Sequence, residues 1–316
     1  MKKYFLLLVI TCFILSAFSG PQNSSQKSII VFHAGSLSVP FREAAQEYQK
    51  RNPGVTVQLE AAGSLVCARK VTELKKPCDM VASADYFVIN ELLIPNYSSW
   101  GIRFATNQII IAFSAKSRYS SIIDSTNWKD ILLRKDVIFS RSDPNSDPCG
   151  YRSVFTMLLA EKYYKLPGLA DRMLAKNREY IRPKEVDLVA LMESNAIDYM
   201  FQYKSVAIQH NFKYIELPAR ISLSDPALND YYKLASTEVT GSTPGSKMKV
   251  TGEYINYSFT VLENAPEKEE ALKFAAFLLS PEGRNIFRKN GQDPILPASS
   301  DQAGKVPEIL RKYLGK

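Results

Sequence analysis

Two short turns carry residue types that could hold an anion. The apolar run Ser28-Ile29-Ile30-Val31-Phe32 leads through His33-Ala34 into Gly35-Ser36, and the alternating run Val55 to Leu59 leads through Glu60-Ala61-Ala62 into Gly63-Ser64. A small residue followed by a hydroxyl lets backbone N–H groups approach an oxyanion, and the side chain adds another donor. Where the serine opens a helix, the helix N-terminus adds partial positive charge. Each serine could equally serve only as an N-cap. His33 and His210 are the only histidines, and neither lies in an H-E-x-x-H or triad arrangement, which excludes those zinc and serine-hydrolase patterns. Cys149 is a candidate nucleophile, but the sequence places no base beside it.

The elements that must position these turns are legible around them. Phe41, Ala44, Ala45 and Tyr48 repeat at helical spacing before Arg51-Asn52-Pro53-Gly54, and Val66, Val71 and Leu74 give a second helix after Ser64. Met80 to Ala84 is a third strand. The order β-α-β-α-β predicts a parallel sheet covered by helices, with both Gly-Ser turns at its carboxyl edge, where such folds bind ligands. Ile102 to Phe113 is an apolar strand long enough to cross into a second lobe. That lobe has expected helices at 128–133, 153–164, 168–176 and 185–194, and strands at 137–140, 199–203 and 214–217. A return strand at 254–262 and a helix at 267–279 bring the chain back. No fixed-period repeat and no long linker occurs, so the pattern favours two interleaved lobes with a cleft over two domains in tandem. We expect one lobe from 27–106 plus 256–316 and the other from 107–255.

Six segments, taken in order, resemble a known family: V-F-H-A-G-S-L at 31–37, E-A-A-G-S at 60–64, A-S-A-D-Y at 82–86, D-P-N-S-D-P-C-G-Y-R at 143–152, D-Y-M-F-Q-Y-K-S-V-A at 198–207 and Y-I-E-L-P at 214–218. Together they are similar to the molybdate/tungstate-binding component of ABC importers, in the branch best known from archaea. The resemblance spans nearly the whole chain after the leader. It implies the class II periplasmic-binding-protein fold, an α/β architecture in which two lobes joined by crossing strands close on an oxyanion. It also implies a site in which Asp147 and Glu185 approach the Mo or W of the oxyanion and expand its coordination. Ser36, Ser64 and Tyr203, with the backbone N–H groups of Cys149 and Gly150, would hold the oxo groups. Many members carry a longer hairpin-like segment before the glutamate; here Asn177 is followed closely by Arg182-Pro183-Lys184-Glu185, so Asp187 is a rival for that role.

Such a site makes physical sense only for some anions. Carboxylates facing a dianion repel it by about several kcal/mol at low effective dielectric. A large Mo(VI) or W(VI) centre accepts extra oxygen ligands and the sulfur of sulfate does not, so the same carboxylates discriminate against sulfate.

The 316 residues include 40 Lys plus Arg against 32 Asp plus Glu, a formal net charge of +8, with 46% hydrophobic residues, so a folded globular chain is expected. Lys2-Lys3, the apolar run from Tyr4 to Leu15 and the small residues through Ser19 read as a secretory signal at 1–19, shorter than the roughly 20 apolar residues of a membrane span. Its removal takes two lysines and no acid. Three cysteines then remain, and Cys67 and Cys78 are either a disulfide or, with Cys149, small buried thiols. The basic residues are dispersed without exposed aromatics between them, which argues for a solvated surface and against a nucleic-acid platform. The expectation is an exported, monomeric, non-enzymatic binding protein, free or peripherally tethered in the periplasm or cell envelope. It would have no cofactor beyond its molybdate or tungstate ligand and would have an ABC permease and ATPase as partners. The alternatives are a binder of sulfate, thiosulfate or phosphate, and a Cys149-dependent enzyme on the same fold.

Overall fold

The computed structural model describes residues 26–241, 243 and 245–315. The expected signal at 1–19 lies outside the described residues. Its strands are, in chain order, β1 (Lys27–Ala34), β2 (Val55–Ala62), β3 (Met80–Ser83), β4 (Ile102–Thr106), β5 (Ile109–Phe113), β6 (Phe139–Ser140), β7 (Tyr199–Tyr203), β8 (Lys213–Glu216), β9 (Ser236–Thr240), β10 (Lys247–Thr251), β11 (Asn256–Val261) and β12 (Asp293–Ser299). Runs such as Ile109–Phe113 are apolar on both faces and fully buried, as strands covered on both sides must be.

Six strands form one sheet in the order β12-β4-β11-β3-β1-β2, and four form another in the order β6-β7-β5-β8; β9 and β10 make a separate hairpin. Every strand of the larger sheet comes from 27–106 or 256–299 and every strand of the smaller from 109–216. The chain therefore passes from the first lobe to the second at Asn107-Gln108 and returns ahead of β11. These are two α/β lobes of a periplasmic-binding-protein fold.

Register brings the Gly-Ser turns together. β1 runs parallel to β2 with Ala34 opposite Ala62, and parallel to β3 with His33 opposite Ala82. The residues just past these ends, Gly35, Gly63 and Ala84, therefore line one edge of the sheet. Helices α1 (Ser38–Arg51), α2 (Ser64–Thr72) and α3 (Tyr86–Leu92) follow these three strands. The first lobe packs around an aromatic group in which Phe104 lies 5.0 Å from Phe287 and Phe41 6.0 Å from it, centroid to centroid. Burying each such ring contributes about 1.5–3 kcal/mol.

In the second lobe the helices are α4 (Trp128–Leu132), α5 (Pro148–Tyr164), α6 (Leu169–Ala175), α7 (Asp187–Glu193) and α8 (Lys204–Gln209). Two boundaries differ from the sequence reading. α5 begins at Pro148 rather than at Ser153, because Asp147 caps it and proline suits the first helical position. Cys149 and Gly150 thus belong to its first turn. Glu185 precedes α7 rather than opening it, and its side chain reaches across the lobe interface to Ser36. The Cys67–Cys78 disulfide is not formed: all three thiols are free and buried. Cys67 Sγ lies 3.4 Å from the His33 carbonyl and Cys78 Sγ 3.0 Å from that of Met80, so each acts as a small core residue. Among the described residues no helix is long and apolar enough to cross a membrane.

Candidate functional site

The site forms where the edge of the first lobe meets the N-terminus of α5 and the turn before α7. Ser36, Ser64, Asp147, Glu185 and Tyr203 are all fully buried there. The lobes approach so closely that two glycines are required. A Cβ on Gly63 would sit 2.2 Å from the Ser146 carbonyl oxygen, and one on Gly35 would sit 2.9 Å from Val186 Cγ2 and 3.0 Å from Glu185 Oε1. The sequence reading assigned these glycines to the approach of an anion; what the structure shows is that they make room for the opposite lobe.

Three hydroxyls face the site with the same polarity. Tyr257 donates its O–H to Ser36 Oγ at 2.9 Å. The Ala84 N–H donates to Ser64 Oγ at 3.0 Å. Arg152 Nη1 donates to the Tyr203 hydroxyl at 2.9 Å. Each oxygen is thus occupied as an acceptor; Ser64 and Tyr203 give their protons to no other group among the described residues, and the Ser36 hydroxyl is near enough to the Glu185 carboxyl to favour its charged form. A hydroxyl filled in this way is left to donate, so the trio suits a ligand rich in acceptor oxygens.

The carboxylates come from the second lobe. Asp147 Oδ1 accepts the Cys149 N–H at 3.3 Å as the cap of α5, and Oδ2 accepts the Glu185 N–H at 3.0 Å. Glu185 Oε1 accepts the Ser36 N–H across the lobe interface. Glu185 Oε2 is buried and has no hydrogen-bond partner among the described residues. Gln202 holds this segment by donating Nε2–H to the Glu185 carbonyl at 2.8 Å. Burial pushes both carboxyls above their ordinary range, and for Asp147 the neighbouring Glu185 charge pushes the same way. Leaving a buried carboxylate oxygen unpaired is costly; a proton held between Glu185 and Asp147, or an electrophilic centre, would each relieve that cost. Among the described residues no group of three or more His, Cys, Asp or Glu side chains could hold a metal ion by itself.

The residues expected to form the site do not all contribute in the same way. Asp187, the rival to Glu185, is 36% exposed at its side chain and lies 3.5 Å from Lys184, outside the site. The N–H groups of Cys149 and Gly150 are both engaged by Asp147, through Oδ1 and through its carbonyl at 3.0 Å. Burial pushes the Cys149 thiol well up and the neighbouring Asp147 and Glu185 charges push the same way, while Gln202 Oε1 lies 3.9 Å from its sulfur, so the site holds the thiol protonated rather than as a thiolate. His33 stacks on Phe41 with Nδ1 2.8 Å from the Ala34 carbonyl.

Four residues that the sequence reading did not assign complete the arrangement. Tyr257 orients Ser36 and is itself met by Asn107 Nδ2 at 3.2 Å, from the first interlobe crossing. Gln292 donates to the Ser36 carbonyl at 3.1 Å. Arg152 is 1% exposed and pairs with Asp85 at 3.0 Å while donating to Tyr203. Of these, Arg152 alone left a trace in the sequence, as a charge inside the D-P-C-G-Y-R segment five residues past the helix cap.

Two α/β lobes closed over a buried polar site are the architecture of the periplasmic-binding-protein fold. Comparison with known proteins agrees: residues 29–292 match the family described as bacterial extracellular solute-binding protein, and the chain belongs to that family. It is 46% identical over 290 residues to an uncharacterized solute-binding protein of Petrotoga mobilis, covering 90% of this chain and 89% of that one. It is 44% identical to the molybdate/tungstate-binding protein WtpA of Pyrococcus abyssi, covering 96% of this chain and 95% of the relative. Among solved structures it resembles the periplasmic molybdate-binding protein of Azotobacter vinelandii, with a TM-score of 0.63 at 17% identity over 85% of this chain and 99% of the other. The sulfate-binding protein SubI of Mycobacterium tuberculosis is similar in fold at a TM-score of 0.62 and 14% identity, covering 91% of this chain and 90% of that one.

Proposed function

We propose that this protein is the exported binding component of an ABC importer for molybdate or tungstate, and that Asp147 and Glu185 add oxygen ligands to the metal of the bound oxyanion. The observation that carries the reading is the buried, unpartnered Glu185 Oε2, next to Asp147 and opposite three hydroxyls left to donate. Ser36, Ser64 and Tyr203 hold oxo groups; the carboxylates engage the metal, which a sulfate sulfur would not permit. Relatives named for molybdate and tungstate, similar over nearly their whole length, support the same ligand. Binding is reversible and involves no bond-breaking on the ligand. The N-terminal leader directs export, and the protein delivers its ligand to a permease and ATPase as a monomer.

Calorimetric titration of the purified protein with tungstate, molybdate, sulfate and phosphate tests this. Tungstate and molybdate are expected to bind far more tightly than the other two. Sulfate or phosphate binding of equal strength would overturn the assignment, phosphate by making the carboxylates acceptors for its proton.

A further inference from the structure

We propose that Arg69 is the clasp that sets how slowly the cleft releases its ligand; this rests on the oxyanion-binding reading above. Arg69 lies on α2 in the first lobe, on the helix that Ser64 opens. Its guanidinium reaches across the mouth of the cleft to two carbonyls of the second lobe: Nη1 donates to Asn145 at 2.9 Å and Nη2 to Thr240 at 2.7 Å. These acceptors come from different elements, the turn that carries Asp147 and the end of β9. Asn145 binds them together, because its Oδ1 accepts the Thr240 N–H at 3.0 Å and hydroxyl at 3.1 Å.

Opening the cleft must break both Arg69 bonds along with the buried contacts of Glu185 with Ser36 and of Arg152 with Asp85, but Arg69 alone of these lies at the exposed mouth, away from the ligand groups. Arg69 also has a partner within its own helix: Nε lies 3.6 Å from Glu73 Oε1, one turn on. That distance is too long for a hydrogen bond and Nε is otherwise unpartnered, so in the closed form Glu73 is a held alternative rather than a competitor. Glu73 thus stays beside the guanidinium and would hold it along the helix once the cross-cleft bonds are broken, which is what a reversible closure requires. A guanidinium can donate to two separated carbonyls at once, and an ammonium on a flexible stem does so poorly.

The clasp touches no ligand, so it acts on release rather than on encounter. Stopped-flow binding and displacement should be measured for the wild type, Arg69→Gln and Arg69→Lys. The ligand is whichever of tungstate, molybdate, sulfate and phosphate the wild type binds most tightly; its identity judges the ligand assignment, and the rate comparison judges the clasp. Both variants are expected to release ligand roughly tenfold faster or more, the loss of at least one hydrogen bond to a charged donor, with association rates within about twofold of wild type. The unfolding temperature of the ligand-free variants should equal that of the wild type, while the extra stability conferred by saturating ligand shrinks. An unchanged release rate would overturn the proposal. So would full rescue by lysine, which would show that charge alone is needed. An equal loss of stability with and without ligand would also overturn it by making Arg69 a structural residue.

Discussion

The Glu185 N–H donates to Asp147 Oδ2 at 3.0 Å, so each of the two site carboxylates is placed by the segment that carries the other. Asp147 caps α5 with one oxygen and fixes the Glu185 backbone with the second; Glu185 then sends its side chain over Ser36 of the opposite lobe. One aspartate thus orients the helix that brings Arg152 and positions the glutamate that meets the first lobe.

Replacing Asp147 by Asn separates capping from charge. Asparagine caps a helix as well as aspartate does, so the fold should survive, but its single oxygen cannot serve both Cys149 and Glu185 and it no longer offers an anionic ligand. We expect tungstate affinity to fall by about 30-fold or more, the usual consequence of removing one charged member of a buried polar site. Sulfate affinity should stay level or rise, because a repulsive charge is gone. Parallel titrations of the two anions check this, and equal losses for both would count against metal coordination by Asp147.

Much of this arrangement is written in the chain, and the rest is not for a definite reason. Gly35-Ser36 and Gly63-Ser64 are legible because strand, glycine and helix signals are contiguous, and the parallel register then aligns them without further information. The pair Asp147-Pro148 starts the helix, yet the helix was expected from Ser153 because aspartate before proline reads equally well as a turn. Tyr257 and Ser36 are 221 residues apart and meet only because β11 inserts beside β3. No local pattern reports such a pairing. The cysteines failed as a disulfide for a related reason: each lies against backbone carbonyls at the first lobe's sheet, a setting that spacing does not reveal.

Tyr257→Phe tests the polarity of the hydroxyls. Without the donated proton, Ser36 Oγ is free to turn, and the ordered donor is lost along with one buried hydrogen bond. Tungstate affinity should fall about fivefold, the value of a single neutral hydrogen bond, with the enthalpy of binding reduced. Titration calorimetry reads both, and an unchanged enthalpy would mean that Ser36 does not donate to the ligand.

Gly63→Ala addresses closure itself. Gly63 has φ −59°, an ordinary value that alanine adopts without strain. The added methyl would nevertheless meet the Ser146 carbonyl at 2.2 Å in the closed form. The ligand-free protein should therefore unfold at the wild-type temperature while tungstate binding is lost or severely weakened. In solution scattering, the contraction expected of the wild type at saturating tungstate should be absent from this variant.

A buried histidine and a half-buried glutamate set opposite pH dependences of stability. Burial lowers the His33 pKa to about 4, from about 6.5 in an unfolded chain. Between those values the unfolded chain binds a proton that the folded one refuses, so this contribution is present above pH 6.5 and lost as pH falls toward 4. Glu253, on the segment returning to the first lobe, is pushed up to about 7 by burial and then by the charge of Asp85. Its folded form holds a proton that the unfolded form gives up near pH 4.3, so its contribution is complete below that value and lost as pH rises through 7. Unfolding temperatures of wild type, His33→Asn and Glu253→Gln across pH 4 to 8 separate the two. The stability of wild type relative to Glu253→Gln should decline between about pH 4.5 and 7. Relative to His33→Asn it should instead increase between about pH 4 and 6.5. A flat difference for Glu253→Gln would show that the carboxyl is ionised without cost beside Arg152 and Arg103, whose charges then outweigh its burial.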